Sequence, residues 1–407
     1  MDEAARPEST YAWLRLSASL VLMTLGGVAM YGVVVVLPLI QADFGVTRAE
    51  ASLPYTLTML GFGFGGILMG TLADRFGVIV PLLFGSTMLG IGLILAGLSG
   101  SLAQFAIAHG LLAGFLGCSA TFAPLVADTS LWFNRRRGIA VAIAISGNYA
   151  AGTIWPPVLQ HFFDQSGWRA TYIGVGIACI AVMLPLAFVL RKRPPALASA
   201  ATIAAEHKSL SSLGLSPTAF LVLLGIAGVA CCVAMSMPQV HLVAYCIDLG
   251  YNAQRGAEMI SLMLGFGIIS RLAFGWVSDR IGGLRTLLLG SALQGTALVL
   301  YLPFDGLMSL YIVSALFGLF QGGLVPAYPI IVREFFPPRE AGTRVAIVLT
   351  ATLLGMALGG WLSGAIFDMT GSYRAAFING IGWNLLNLSI AFWLVRRTGP
   401  RKALAAA

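Results

Sequence analysis

The sequence predicts an all-α integral membrane protein, with twelve transmembrane helices arranged as two pseudo-symmetric six-helix bundles. Three observations predict it. Of 407 residues, 58% are hydrophobic and 10% charged, whereas a water-soluble domain carries about a quarter charged residues. Apolar runs of about 20 residues, enough to cross a bilayer as a helix, recur along the whole chain. Short motifs also repeat at one fixed offset, the 205 residues that separate Asp74 from Asp279.

The runs fall at 14–40, 51–73, 79–99, 102–127, 138–162, 170–190, 217–246, 255–277, 285–303, 308–332, 343–367 and 375–395. None alternates with period two as a barrel strand would, and backbone groups inside lipid must be satisfied internally, so each is read as a helix. The opening MDEAARPEST is polar and acidic and lacks the basic start of a signal peptide, so the first run is expected to remain as a span. Asp74-Arg75 follows the second run and Asp128 the fourth; the fifth is entered through Trp132-Phe133-Asn-Arg135-Arg136-Arg137. After the sixth, the longest internal polar stretch runs from Arg191 to Gly214 and separates six runs from six. Asp248-Leu-Gly250 ends the seventh, Asp279-Arg280 the eighth and Asp368 the eleventh, and Ser372-Tyr-Arg374 precedes the twelfth. The expected organisation is an N-terminal bundle (1–190), a linker (191–214) and a C-terminal bundle (215–407).

The formal net charge is +8, and its distribution explains it. Arg75, Arg135, Arg136, Arg137, Arg280 and Arg333 share one side of the predicted membrane with both ends of the chain and the linker. Only Arg48, Arg169, Arg255 and Arg374 fall on the other. This positive-inside asymmetry predicts cytoplasmic N- and C-termini in a multi-pass protein of the cell (plasma or inner) membrane, without a nucleic-acid partner. Cys118, Cys179, Cys231, Cys232 and Cys246 lack metal-ligand spacing and read as packing residues. There is no HExxH, no Gly-x-Ser-x-Gly and no clustered His or carboxylate spacing, so neither enzyme chemistry nor a metal or other cofactor is expected.

At the offset of 205, Asp43-Phe-Gly45 matches Asp248-Leu-Gly250, and Gly167-Trp-Arg169-Ala170 is similar to Ser372-Tyr-Arg374-Ala375. Gly70-Thr-Leu-Ala-Asp74-Arg75-Phe-Gly77 matches Gly275-Trp-Val-Ser-Asp279-Arg280-Ile-Gly282. A constant offset marks an internal repeat. The paired G-x-x-x-D-R-x-G loops resemble the signature of the major facilitator superfamily over the whole plan of the chain. Their expected role is a conformational latch: the glycines permit close helix approach, and Asp74 or Asp279 accepts hydrogen bonds from helix N-termini or an arginine of the opposite bundle. The run from Trp132 to Ile139-Ala140, continuing to Ser146-Gly147, resembles the entry to the fifth helix of monocarboxylate transporters. Neighbouring carriers of oxalate and formate fit as well.

Arg271 lies eight residues before Asp279, about 12 Å along a helix. An arginine this deep costs a few kcal/mol unless solvated or paired. Snorkelling would reduce that cost, but Gly267 and Gly275 on the same face are expected to leave open space around the guanidinium, as a water-filled cavity requires. No carboxylate falls near mid-membrane. A diffusible anion is the natural partner, because a planar guanidinium holds a carboxylate through two parallel bonds. Resemblance implies the same: in these carriers the eighth-helix arginine anchors the carboxylate. Further polar groups expected near midplane are Tyr31, Asn148, Tyr149, Gln239, His241, Gln321 and Tyr328, with His109, Ser119 and Thr121. His241 stands out as a group suited to proton exchange. The resulting expectation is a secondary active transporter moving a small monocarboxylate such as lactate or pyruvate with a proton, by alternating access, as a monomer. The alternatives are an organic-anion exchanger of the oxalate/formate type and, less favoured, a multidrug exporter.

Overall fold

The computed structural model describes residues 8–133, 136–192, 215–336 and 338–398. Among them are twelve helices apolar and long enough to span a membrane: α1 Thr10–Phe44, α2 Arg48–Phe76, α3 Ile79–Gly97, α4 Leu102–Trp132, α5 Ile139–Ser166, α6 Trp168–Leu190, α7 Pro217–Asp248, α8 Ala253–Ile281, α9 Gly283–Leu300, α10 Leu307–Phe335, α11 Thr343–Thr370 and α12 Tyr373–Arg397. The chain is a multi-pass membrane protein. From residue 193 the expected linker lies outside the described residues, as do Arg135 and the tail from residue 399.

Several helices run past their apolar stretches because polar residues finish them. Thr47 and Glu50 form a reciprocal capping box at the start of α2, and the Asn252 side chain accepts from Gln254 N–H at the start of α8. The last glycine of each repeated loop terminates a helix. Gly77 (φ 85°) and Gly282 (φ 81°) end α2 and α8 in the left-handed region that a side chain would strain. Within each half, glycines bring backbones close, as small residues do in lipid. A Cβ at Gly90 of α3 would meet the Gly176 carbonyl of α6 at 2.6 Å, and one at Gly355 of α11 would meet the Val229 carbonyl of α7 at 2.5 Å.

With twelve alternating spans, α1 begins and α12 ends at one face, here called proximal; the other is distal. The halves meet in the distal part of the molecule. There Thr56 Oγ1 of α2 donates to the Ala357 carbonyl of α11 at 3.1 Å, and Ser261 Oγ of α8 donates to the Thr153 carbonyl of α5. At the proximal face, Asp74, Arg75, Asp279 and Arg280 all reach solvent. Arg75 lies over its neighbour Phe76 and Arg280 over Trp276, and nothing stands within 4 Å of a Cβ built on Gly70 or Gly275. Among the described residues, neither aspartate makes a hydrogen bond or ion pair. The halves are thus joined at the distal side in this conformation.

Candidate functional site

Arg271 on α8 and Tyr149 on α5 sit at matching depth, each about ten residues from the proximal end of its helix. The guanidinium carbon lies 3.8 Å from the centroid of the Tyr149 ring. This corrects the expectation of open space at Gly267: a Cβ there would meet the Tyr149 ring carbons at 2.4 and 2.7 Å. Gly267 admits the ring, and only Gly275 faces open space. Cation–π attraction is worth about 0.5–2 kcal/mol, against at least about 2.5–3.5 kcal/mol for an arginine at helix centre. The ring therefore offsets part of the cost. Nε of Arg271 is buried without a partner, and among the described residues no carboxylate pairs with this guanidinium. Stacking fixes the plane of the fork and leaves its edge as the group available to an anion.

Beside it, the Tyr31 hydroxyl of α1 donates to Asn148 Oδ1 of α5 at 3.2 Å. Tyr31 lies within electrostatic range of both Tyr149 and Arg271, and Tyr55 of α2 within range of Tyr31. A Cβ on Gly152 would meet the Tyr31 ring at 2.7 Å and Leu264 of α8 at 2.1 Å. The missing side chain at Gly152 lets α1, α5 and α8 converge about one turn distal to Tyr149.

The helices around this point are interrupted. α1 breaks between Thr10–Gly26 and Val28–Phe44, and α10 breaks between Leu307–Gln321 and Leu324–Phe335. α4 widens into a π-helix over Ala108–Gly117 before a 3₁₀ turn at Cys118–Thr121. Under the repeat, Gly117 corresponds to Gly322, so α4 and α10 lose regularity at the same place. Irregular backbone at membrane depth is tolerated only where protein buries it or it lines a cavity, and transporter sites are built on such discontinuous helices. The α10 break lies on the Arg271 turn: a Cβ on Gly322 would meet the Gly267 carbonyl at 2.5 Å and Ser270 Cβ at 2.8 Å. At its edge, Gln239 of α7 donates to Gln321 Oε1 at 3.2 Å, and the buried Gln321 Nε2 has no partner.

The remaining sequence candidates stand elsewhere. His241 is fully buried in the distal seam, where Nε2 donates to the Gly360 carbonyl at 2.7 Å and Nδ1 accepts from the Tyr373 hydroxyl at 3.0 Å. Tyr328 is buried among second-half helices and donates to Asn387 Oδ1 at 3.2 Å; Asn387 in turn donates to Ser291 Oγ. His109 meets Thr58 at 3.1 Å, while Ser119 and Thr121 donate to the carbonyls of Phe115 and Cys118 on their own helix.

Sequence reasoning missed the distal seam. Arg48 of α2 donates to both oxygens of Asp248 on α7, at 2.6 and 3.3 Å, to the Tyr373 hydroxyl of α12 at 3.0 Å and to Gln41 at 3.0 Å. Its guanidinium lies 4.2 Å from the centroid of the Phe367 ring. Asp368 of α11 accepts the backbone N–H groups of Arg48 and Ala49 at 2.9 and 2.7 Å, capping α2 from the opposite half. In the sequence, Arg48 is distinguished only as one of the few basic residues on its side of the membrane.

Comparison with known proteins adds the family context. A family model described as Major Facilitator Superfamily matches residues 19–309 and 259–407. Monocarboxylate transporter 13 of Bos taurus is 28% identical over 323 residues, covering 77% of this chain and 73% of that protein. The MFS-type transporter pynF of Aspergillus niger is 23% identical over 401 residues, covering 96% and 90%. A bacterial homolog of the human lysosomal transporter Spinster, solved in an inward-facing and unoccupied conformation, has a TM-score of 0.70 at 16% identity and covers 95% of each chain. That structural likeness carries the fold.

Proposed function

The chain belongs to the Major Facilitator Superfamily, and from that premise we propose that it is a secondary active transporter of small monocarboxylates, of the lactate or pyruvate kind, working by alternating access with a proton. The observation that carries this reading is Arg271: a guanidinium at mid-depth, stacked on Tyr149, without a carboxylate among the described residues. The resemblance to monocarboxylate transporters supports it.

In this proposal the anion enters from the proximal side, which is cytoplasmic, and its carboxylate takes the free edge of the Arg271 fork. Charge-assisted hydrogen bonds to an ionised partner contribute about 1.5–3 kcal/mol each, enough to offset what the tyrosine ring leaves uncompensated. Tyr31 and Asn148 stand ready to hydrogen-bond the rest of a small substrate, and Gln321 Nε2 marks a further donor. The proton rides with the substrate beside Arg271; both nitrogens of His241 are already committed in the distal seam. Anion and proton move without net charge. Residues 1–190 and 215–407 are the two moving bundles and 191–214 is the linker. When the distal seam opens, the loops at Gly70-Asp74-Arg75-Gly77 and Gly275-Asp279-Arg280-Gly282 engage and close the proximal face.

The test is uptake of radiolabelled lactate into proteoliposomes under an inward acid gradient. Arg271→Ala is expected to abolish accumulation, and Arg271→Lys largely to do so, because an ammonium keeps the charge but loses the fork. A Lys variant that transports with normal affinity and rate would refute the anchoring geometry. Uptake indifferent to the gradient but stimulated by internal substrate would establish the organic-anion exchanger instead.

A further inference from the structure

The two halves carry the same charged corner at the distal face, but the structure wires it differently. In the first half Asp43, at the end of α1, accepts from Arg169, at the start of α6, at 2.7 Å. Arg169 also donates to the Ser99 carbonyl and stacks 4.4 Å from the Trp168 ring centroid. At the offset of 205, the counterparts are Asp248, at the end of α7, and Arg374, at the start of α12. These two do not pair: Asp248 is held by Arg48 of the other half. The Arg374 side chain is exposed and has no carboxylate partner among the described residues. It lies within electrostatic range of Tyr245, one turn before Asp248 on α7, and its neighbour Tyr373 bonds Arg48 directly.

We propose that Asp248 is an exchange partner in the transport cycle, bound to Arg48 when the distal seam is closed and to Arg374 when it is open. The open arrangement is the one Asp43 and Arg169 already display. On opening, Asp248 would otherwise lose both of its bonds to Arg48. Arg374 offers a replacement guanidinium on the same half. Arg48 retains the Gln41 bond within its own half, at 3.0 Å. The asymmetry between the corners thereby becomes functional: the Asp43 corner is a fixed clasp, and the Asp248 corner is a two-position one. The inference rests on the chain's moving between distal-closed and distal-open forms, whatever the substrate.

The experiment measures distances between spin labels on Gln165→Cys and Asp305→Cys, at the distal ends of the two halves, by pulsed dipolar spectroscopy on the purified full-length protein. Arg48→Gln is expected to raise the population of long distances, and Arg374→Gln to lower it. Each should change the open-to-closed ratio about twofold to fivefold, the scale of an exposed ion pair. In an Asp248→Asn background, the Arg374→Gln effect should vanish. Arg374→Lys, which keeps the charge, should restore most of the ratio. Two outcomes would overturn the exchange: Arg374→Gln leaving the distances unchanged, or shifting them equally with and without Asp248. Size-exclusion profiles of the variants establish that each is folded, and loss of lactate transport alone would bear on the substrate assignment rather than on this exchange.

Discussion

At Arg271 the partner matters as much as the charge. Tyr149 supplies a ring face rather than an acceptor, so Tyr149→Phe should keep substrate affinity within about threefold, while Tyr149→Ala removes a contact of about 0.5–2 kcal/mol and should weaken it about twofold to thirtyfold. Equilibrium binding of lactate to the two purified variants checks this; equal losses would show that the hydroxyl is what matters. His241 provides the complementary case. In its neutral form, Nε2–H is committed to the Gly360 carbonyl and Nδ1 to the Tyr373 hydroxyl, which itself receives Arg48. His241→Ala is therefore expected to slow transport through the seam while leaving uptake dependent on the acid gradient. If gradient dependence disappears, the proton passes through His241. The sequence made Arg271 legible because a lone cation in an apolar run is conspicuous. It left the facing of His241, Tyr328 and Arg271 undecided, since helix rotation is set by neighbours distant in the chain, such as Tyr373, Asn387 and Tyr149. Gly267 was legible as a small residue, but that Tyr149 occupies its space depends on the approach of α5 to α8.

The twelve helices were readable because each contains an apolar run of about 20 residues; their ends, set by groups such as Thr47, Asn252, Gly77 and Gly282, fall a few residues beyond those runs. The breaks in α1, α4 and α10 were not. The chain has 49 glycines, and nothing local separates those at a break, such as Gly322 and Gly323, from those that serve close packing. Tertiary contact distinguishes them: Gly318, Gly322 and Gly323 lie against Met263, Gly267 and Phe274 of α8. A Cβ at Gly318 would stand 1.9 Å from the Met263 carbonyl, so Gly318→Ala must push α10 away from α8. Overpacking of this kind typically costs about 1–3 kcal/mol, and the substitution should lower the thermal midpoint by several degrees and reduce transport per folded molecule. An unchanged midpoint, read by fluorescence of the purified protein, would mean that this contact is looser than the structure indicates.

At the scale of the molecule, the repeat was legible because matching motifs keep one offset across the chain. The conformational state was not, since a sequence encodes both ends of a transport cycle. The cross-half cluster of Arg48, Asp248, Asp368 and Tyr373 joins residues from four helices at the distal face, while Asp74 and Asp279 at the proximal face are exposed and make no hydrogen bond or ion pair among the described residues. Under the proposed function, substrate valence is a matter of charge balance. Among the described residues, one guanidinium, that of Arg271, stands at mid-depth without a carboxylate and would balance one negative charge, and none of the chain's three lysines, Lys192, Lys208 and Lys402, falls within the twelve spans. A dianion would carry an uncompensated charge into a low-dielectric site at a cost of several kcal/mol. The most direct measurement is competition for radiolabelled pyruvate binding to purified protein, at neutral pH and fixed ionic strength so that screening does not imitate selectivity. Lactate should compete fully, and oxalate and malonate at least about tenfold more weakly, a conservative floor for a penalty of that size. Equal competition by oxalate would contradict the single-charge site and, with it, the monocarboxylate assignment.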